Sequence, residues 1–254
     1  MNKIYKNYFE PVKFYGVQRE QDYEAIQPCI NTLDAFARLS HQSCYVIDYY
    51  KQNFLYVSPH RLILNNLKVD DIKQIGYQYY YNIVPYEDLR FLEFINKEGF
   101  DFFYKTSPTN ERLEYSISYD FHIYFDKKKQ ILINHQLTPI LLNEQKQIWL
   151  ALCLISISPK KHKGEIVIRK IGEPFKYVYS PTNHKWTKEE EVVLSDIDIN
   201  ILRFSEQGYS NEEIAQAMFY NVNSIKFHKK QIYALLKVSN INEAIVYAYK
   251  NKLM

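Results

Sequence analysis

Apolar residues recur at helical spacing between Asp22 and Leu39, through Ile26, Ile30, Leu33, Phe36 and Ala37, and predict an amphipathic helix. Two short β-prone runs, Cys44 to Asp48 and Phe54 to Val57, flank Lys51-Gln52-Asn53 and predict a hairpin. Short helical pieces follow from Leu62 to Gln74, and Pro85 opens a further helix through Leu89, Leu92 and Ile95. Three longer strand candidates come next: Leu113 to Phe125, Ile131 to Leu142 and Ile148 to Ile157. The polar turns Asp126-Lys127-Lys128-Lys129 and Asn143-Glu144-Gln145-Lys146 separate them, so they are expected to pair as an antiparallel meander. Glu165 to Arg169 and Phe175 to Tyr179 alternate well enough for another hairpin, followed by a Pro181-Thr182-Asn183 turn. Trp186, beside this turn, either docks on a neighbouring domain or plugs a local core, and Thr187 to Leu194 is expected to lead directly into a helix.

Beyond residue 194 the period changes to that of short helices alone. Gly208 follows Ile197, Ile201, Leu202 and Phe204 and sits where a helix stops in a left-handed cap. Ser210 and Glu213 have capping-box spacing, and Ile214, Ala215 and Met218 make a narrow apolar stripe behind them. Asn221 can cap the next helix, in which Ile225, His228, Ile232, Leu235 and Leu236 are expected to face the core. Asn223, Lys226, Phe227 and Lys230 fall on the opposite face. Asn240 and Glu243 cap a fourth helix with Ala244, Ile245, Tyr247 and Ala248. Two short helices joined by a tight connection, the second bearing outward lysines, are the unit that helix-turn-helix proteins present to the major groove of DNA.

The segment Leu194 to Ala248 resembles the LuxR/GerE-type helix-turn-helix of bacterial transcription regulators. The matching positions include Leu194, Ile201, Leu202, Gly208, Ser210, Asn211, Glu213, Ile214, Ala215, Ile225, Lys226, His228, Ile232, Leu236, Val238, Asn240 and Ala244, with Asn221 and Ser224 as conservative variants. The resemblance implies that Lys226, Phe227 and Lys230 point into the major groove, where lysine can donate to guanine and Phe227 can pack on a thymine methyl. It implies phosphate contacts for Ser210, Asn211, Asn223, Ser224 and Lys229. Without it, any one of these lysines reads as part of a solvated helix face. His228, on the inward face, reads as a packed, hydrogen-bonded histidine. Ile197, Asn200, Leu235 and Ile241 depart from the usual charged residues, which puts some backbone contacts in doubt but leaves the fold expectation in place.

The preceding order, two strands, several short helices and three long strands, resembles a PAS domain, a sensor and dimerisation module with a five-stranded antiparallel sheet. Tyr45-Val46-Ile47-Asp48, the Val84-Pro85-Tyr86-Glu87-Asp88 turn and the last three strands carry this second, less specific resemblance. An unrelated α+β sensor fold is its rival. Tyr79, Tyr80, Tyr81, Phe102, Phe103, Tyr104 and Phe121 are numerous enough to fill any internal pocket. A phosphoreceiver domain is disfavoured, because Asp70-Asp71 lacks a preceding β run and reads as a solvated helix start.

Composition narrows the remaining classes. The chain has 254 residues, room for two domains, with 46% apolar residues, 24 Tyr and only 6 Gly, which argues against a disordered or low-complexity chain. Cys29, Cys44 and Cys153 form no C-x-x-C pair and follow Pro, Ser and Leu, so neither a zinc site, a disulfide frame nor flavin-bonding photochemistry is expected. His41, His60, His122 and His135 are isolated, and structural roles are favoured over haem ligation. No phosphate loop or Ser-His-Asp constellation appears, so no enzyme activity, cofactor or metal is expected. The longest apolar run, Ile148 to Ile157, is too short to span a bilayer. Lys3, Lys6 and Glu10 interrupt any secretion-signal core, so the expected location is the cytoplasm, with no membrane association. From Thr187 onward eight Lys and Arg face nine Asp and Glu, yet Asn221 to Lys237 holds four lysines and no acid. A basic face on a near-neutral domain favours selective dimeric binding over general DNA coating.

The expected architecture is therefore α+β. Residues 1–160 are a PAS-like sensor or dimerisation domain, 161–188 a hairpin and linker, and 189–254 an all-α, four-helix DNA-binding domain. The expected function is that of a signal-responsive, sequence-specific transcriptional regulator. Its expected partners are double-stranded DNA, a second copy of the chain and RNA polymerase, with any ligand of the first domain unassigned. The alternative is a regulator whose helix-turn-helix meets a protein partner instead of DNA.

Overall fold

Hairpins and a meander of the kind the residue pattern predicts close into one sheet. A computed structural model describes residues 14–126, 129–158, 160–181, 183–251 and 253–254. Lys3, Lys6 and Glu10, Lys127 and Lys128 of the first long-strand turn, and Thr182 lie outside the described residues. The chain divides into two compact units, the first ending at Lys188 and the second running from Glu189 to Met254.

The first unit contains α1 (Glu20–Ser40), β1 (Ser43–Asp48), β2 (Asn53–Val57), α2 (Arg61–Leu64), α3 (Val69–Ile75), α4 (Tyr79–Ile83) and α5 (Tyr86–Lys105). They are followed by β3 (Tyr115–Phe125), β4 (Lys129–Leu142), β5 (Ile148–Ile157), β6 (Ile166–Lys170), β7 (Phe175–Ser180) and β8 (Lys185–Glu190). The sheet order is β2-β1-β5-β4-β3-β6-β7-β8. The three long strands form the expected antiparallel meander, with Tyr119 opposite His135 and Leu137 opposite Cys153. β1 joins β5 antiparallel, with Tyr45 opposite Cys153. Residues 166–180, read from the sequence as a hairpin between domains, form that hairpin and extend this sheet, β6 pairing with β3 and β7 with β6. Thr187 does not lead directly into a helix: Lys185–Glu190 is a strand, and the next helix begins at Asp196.

Side-chain alternation sorts the sheet into two faces. Tyr45, Ile47, Ile117, Tyr119, Phe121, Ile133, Leu137, Cys153 and Ile155 belong to one buried cluster with Leu92, Ile95, Phe102 and Phe103 of α5. Tyr79, Tyr80, Phe102, Phe103 and Phe121 are all buried in that cluster, and Tyr81 and Tyr104 are partly buried against it. A small cleft remains beside α5, lined by Tyr49, Ile95, Phe100, Phe103 and Tyr119 among others. Cys44, Val46, Tyr56 and Leu150 instead join Tyr23, Ile26 and Ala37 of α1, and the Tyr23 hydroxyl donates to Asp48 at 2.8 Å. Trp186 plugs a local core, its ring 5.2 Å from those of Phe102 and Tyr179.

Three of the four isolated histidines make polar contacts within the first unit. His60 caps α2 by accepting from the Leu62 N–H, and His122 contacts Asp88 at 3.0 Å. Burial alone would push the Asp88 carboxyl up, but the Lys163 ammonium and the His122 N–H groups outweigh it and hold the group below its ordinary range. His135 is fully buried, with its Nε2 2.6 Å from the Tyr45 hydroxyl, and burial pushes its pKa down to about 3. Asp71 in the first turn of α3 accepts from the Lys68 N–H, the solvated helix start expected there. Among the described residues no helix is long and apolar enough to cross a membrane, and no three His, Cys, Asp or Glu side chains gather as a metal would require.

The second unit is all helix: α6 (Asp196–Glu206), α7 (Asn211–Met218), α8 (Val222–Leu236) and α9 (Ile241–Lys250). Ile201, Leu202, Ile214, Ala215, Ile225, Ile232, Leu236, Ala244 and Ala248 form its core. Ile197 and Ile241, where the resemblance led one to expect charge, pack against that core. Leu235 does not face the core as its spacing suggested; it is 45% exposed. Ile232 and Leu236 already occupy the inward stripe one turn apart, and residue 235 falls off its edge.

Candidate nucleic-acid interface

Three caps and one glycine fix the geometry of α6 to α8. Gly208 has φ +87°, a left-handed conformation that a side chain disfavours, and the Tyr209 N–H donates back to the Phe204 carbonyl at 3.1 Å. That bond closes α6 and turns the chain toward α7. Ser210 Oγ accepts from the Glu213 N–H while the Glu213 carboxylate accepts from the Ser210 N–H at 2.7 Å. This reciprocal pair holds the Glu213 carboxyl below its ordinary range, chiefly through the Ser210 backbone donor. Asn221 Oδ1 accepts from the Ser224 N–H at 2.8 Å and starts α8.

α8 is thereby held with one face in the core and one in solvent. Ile225, Ile232 and Leu236 are at most 2% exposed. Asn223, Lys226, Phe227 and Lys230 are exposed, as their helical spacing requires. Among the described residues neither Lys226 nor Lys230 forms an ion pair, so both ammonium groups are available to an outside anion. Phe227, beside them on that face, is 60% exposed.

The flanking residues expected to meet phosphates are less uniform. Ser210 is exposed at the start of α7, with its hydroxyl engaged by the Glu213 carboxyl. Ser224 is partly buried. Lys229 is also partly buried, and desolvation lowers its pKa, so it lies at the edge of the solvent face. Asn211 is partly buried too, and its Oδ1 is shielded from solvent with no hydrogen-bond partner. These placements bring Lys226, Phe227, Lys230 and Asn223 onto one free surface and leave Lys229 and Asn211 at its margin.

Asp198 is a positioning residue that the pattern reading passed over. Its Oδ2 accepts from the Ser195 hydroxyl at 2.6 Å, closing the capping box of α6. Its Oδ1 lies 3.0 Å from Nδ1 of His228, which ties the start of α6 to the middle of α8. Ser195-x-x-Asp198 carried a legible capping signal; the contact to His228 did not. His228 is the packed, hydrogen-bonded histidine its inward position implied.

Comparison with known proteins agrees with this geometry. Residues 192–248 match the family model "Bacterial regulatory proteins, luxR family". The response regulator protein VraR of Staphylococcus epidermidis is 30% identical over 95 residues, 37% of this chain and 44% of that protein. VraR of Staphylococcus aureus matches with the same identity and coverage. The chain thus spans under half the length of the curated relatives it matches. Among solved structures, the response regulator ChrA of a heme-sensing two-component system is 35% identical over 26% of this chain and 33% of its own, with a TM-score of 0.25. A Vibrio cholerae VqmA dimer is 11% identical, covering 88% of each chain, with a TM-score of 0.35. These TM-scores are too low to indicate a shared overall arrangement. With its caps, core and solvent face in place, the segment 192–248 is a helix-turn-helix domain of the luxR family of bacterial regulatory proteins.

Proposed function

We propose that this chain is a sequence-specific, DNA-binding transcriptional regulator acting as a homodimer in the cytoplasm. The observation that carries the reading is α8: Lys226, Phe227 and Lys230 are free on the face opposite buried Ile225, Ile232 and Leu236, within a luxR-family domain. The two ammonium groups donate to guanine O6 and N7, and Phe227 packs on a thymine methyl. Asn223, Ser224, Ser210, Asn211 and Lys229 set the register on the phosphates. One short helix buries too little surface for tight specific binding, so two copies engage a two-fold symmetric site.

The first unit is proposed to be a PAS-like sensor or dimerisation module. Two strands, short helices and three long strands, joined as β2-β1-β5-β4-β3, support this reading. RNA polymerase is the proposed downstream partner, and no enzymatic step is assigned to either unit.

The test uses a duplex selected by the unaltered full chain from a library randomised over about 30 base pairs, enough for two half-sites one helical turn apart. Replacing both Lys226 and Lys230 by Ala is expected to weaken binding roughly 30- to 160-fold, about 2–3 kcal/mol, with a shallower salt dependence and an unchanged unfolding profile. Equal binding by the double variant would overturn the assignment of this helix. A second reading, docking on a protein, is favoured by the near balance of eight basic and nine acidic residues from Thr187 onward. It predicts no salt-dependent duplex binding at all.

A further inference from the structure

The turn that joins α7 to α8 holds the most exposed large apolar side chain among the described residues, Phe219, at 96%. Its backbone is left-handed, with φ +59°. The turn itself requires that conformation: the Tyr220 N–H donates to the Ala215 carbonyl at 2.8 Å and the Phe219 N–H to the Gln216 carbonyl at 3.3 Å, the two bonds of a Schellman cap. Glycine or asparagine suits such a position; a phenylalanine is disfavoured there by its Cβ. Its ring meets water and gains nothing from burial. Neither local backbone preference nor packing within the domain selects this residue.

Its surroundings indicate what does. Tyr220, next in the turn, is 40% exposed, and Phe227, on the exposed side of α8, is 60% exposed, each ring within 6.5 Å of the His228 ring. Lys226 and Lys230 lie on that side, and Asn221 to Lys237 contains no acid. A partner that is apolar at its edges and anionic overall complements this combination. Duplex DNA offers both, through thymine methyl groups and deoxyribose faces beside phosphates.

We infer that Phe219 is a further DNA-contacting residue, its ring packing on an apolar edge of the duplex next to the site read by α8. This rests on the DNA-binding reading proposed above. The substitution Phe219→Gly tests it without threatening the fold, since glycine takes the left-handed conformation freely. The probe is the duplex selected by the unaltered full chain. Phe219→Gly is expected to unfold at the same temperature or slightly higher. It is expected to bind about five- to tenfold more weakly, the size of one aromatic contact. The slope of affinity against salt should not change, because no phosphate contact is lost. Repeating the comparison with deoxyuridine in place of thymidine separates the two sources: the difference between variant and unaltered chain vanishes for a methyl contact and persists for a deoxyribose contact. Equal affinity of the two chains for the selected duplex would overturn the inference alone, as would a loss accompanied by a shallower salt slope. Failure of the unaltered chain to select any duplex would overturn both this inference and the DNA-binding reading.

Discussion

Acidification should destabilise the first unit through one histidine, and the effect can be sized from the structure. His135 is 2% exposed on β4, its ring 4.9 Å from Tyr119, and burial lowers its pKa from 6.5 to about 3. The folded chain therefore refuses a proton that the unfolded chain accepts. Stability is complete above the unfolded value of 6.5 and falls as pH drops below it, until the folded value near 3 is reached. At about pH 5 the folded group is still neutral, so the loss depends on the unfolded pKa alone. One and a half units at about 1.4 kcal/mol each give about 2 kcal/mol relative to about pH 8. The perturbation is His135→Phe, which keeps an aromatic ring and removes the titration. The assay is urea unfolding of both chains at the two pH values, followed by tryptophan fluorescence. Trp149 and Trp186 are the chain's two tryptophans and both lie in the first unit, so the signal reports that unit. The unaltered chain should lose about 2 kcal/mol more than His135→Phe between the two conditions. Parallel losses in the two chains would refute the argument that burial keeps this imidazole neutral.

Two further perturbations test the packing of each unit. Trp186→Ala removes a ring set between Phe102 and Tyr179 and should lower the stability of the first unit by about 2–3 kcal/mol, seen as an earlier urea midpoint in the remaining Trp149 emission. Asp198→Ala deletes both the carboxylate half of the α6 capping box and the partner of His228. It should cost the second unit about 1–2 kcal/mol, read as faster amide exchange across α6 and α8 with the tryptophan signal unchanged.

The sequence by itself determined the type and order of most elements, because each depends on local periodicity and on residues close along the chain. Ile26, Ile30 and Leu33 announce α1, and the alternation through β3 to β5 announces the meander. Ser210 with Glu213, Asn221 and Asn240 announce the starts of three helices by contacts only three residues long. The faces of α8 were legible for the same reason, since Lys226, Phe227 and Lys230 and their buried opposites are set by the 3.6-residue period. Tertiary structure decided what depends on distant partners. Only the sheet shows that residues 166–180 extend β3, because strand pairing carries no local signal of its partner. Only packing places Trp186 on Phe102 and turns Leu235 outward. The tie between Asp198 and His228 spans 30 residues, and no window on the sequence contains it. The exposure of Phe219 belongs with these. The left-handed cap that swings its ring into solvent is a backbone conformation, which residue type alone does not report.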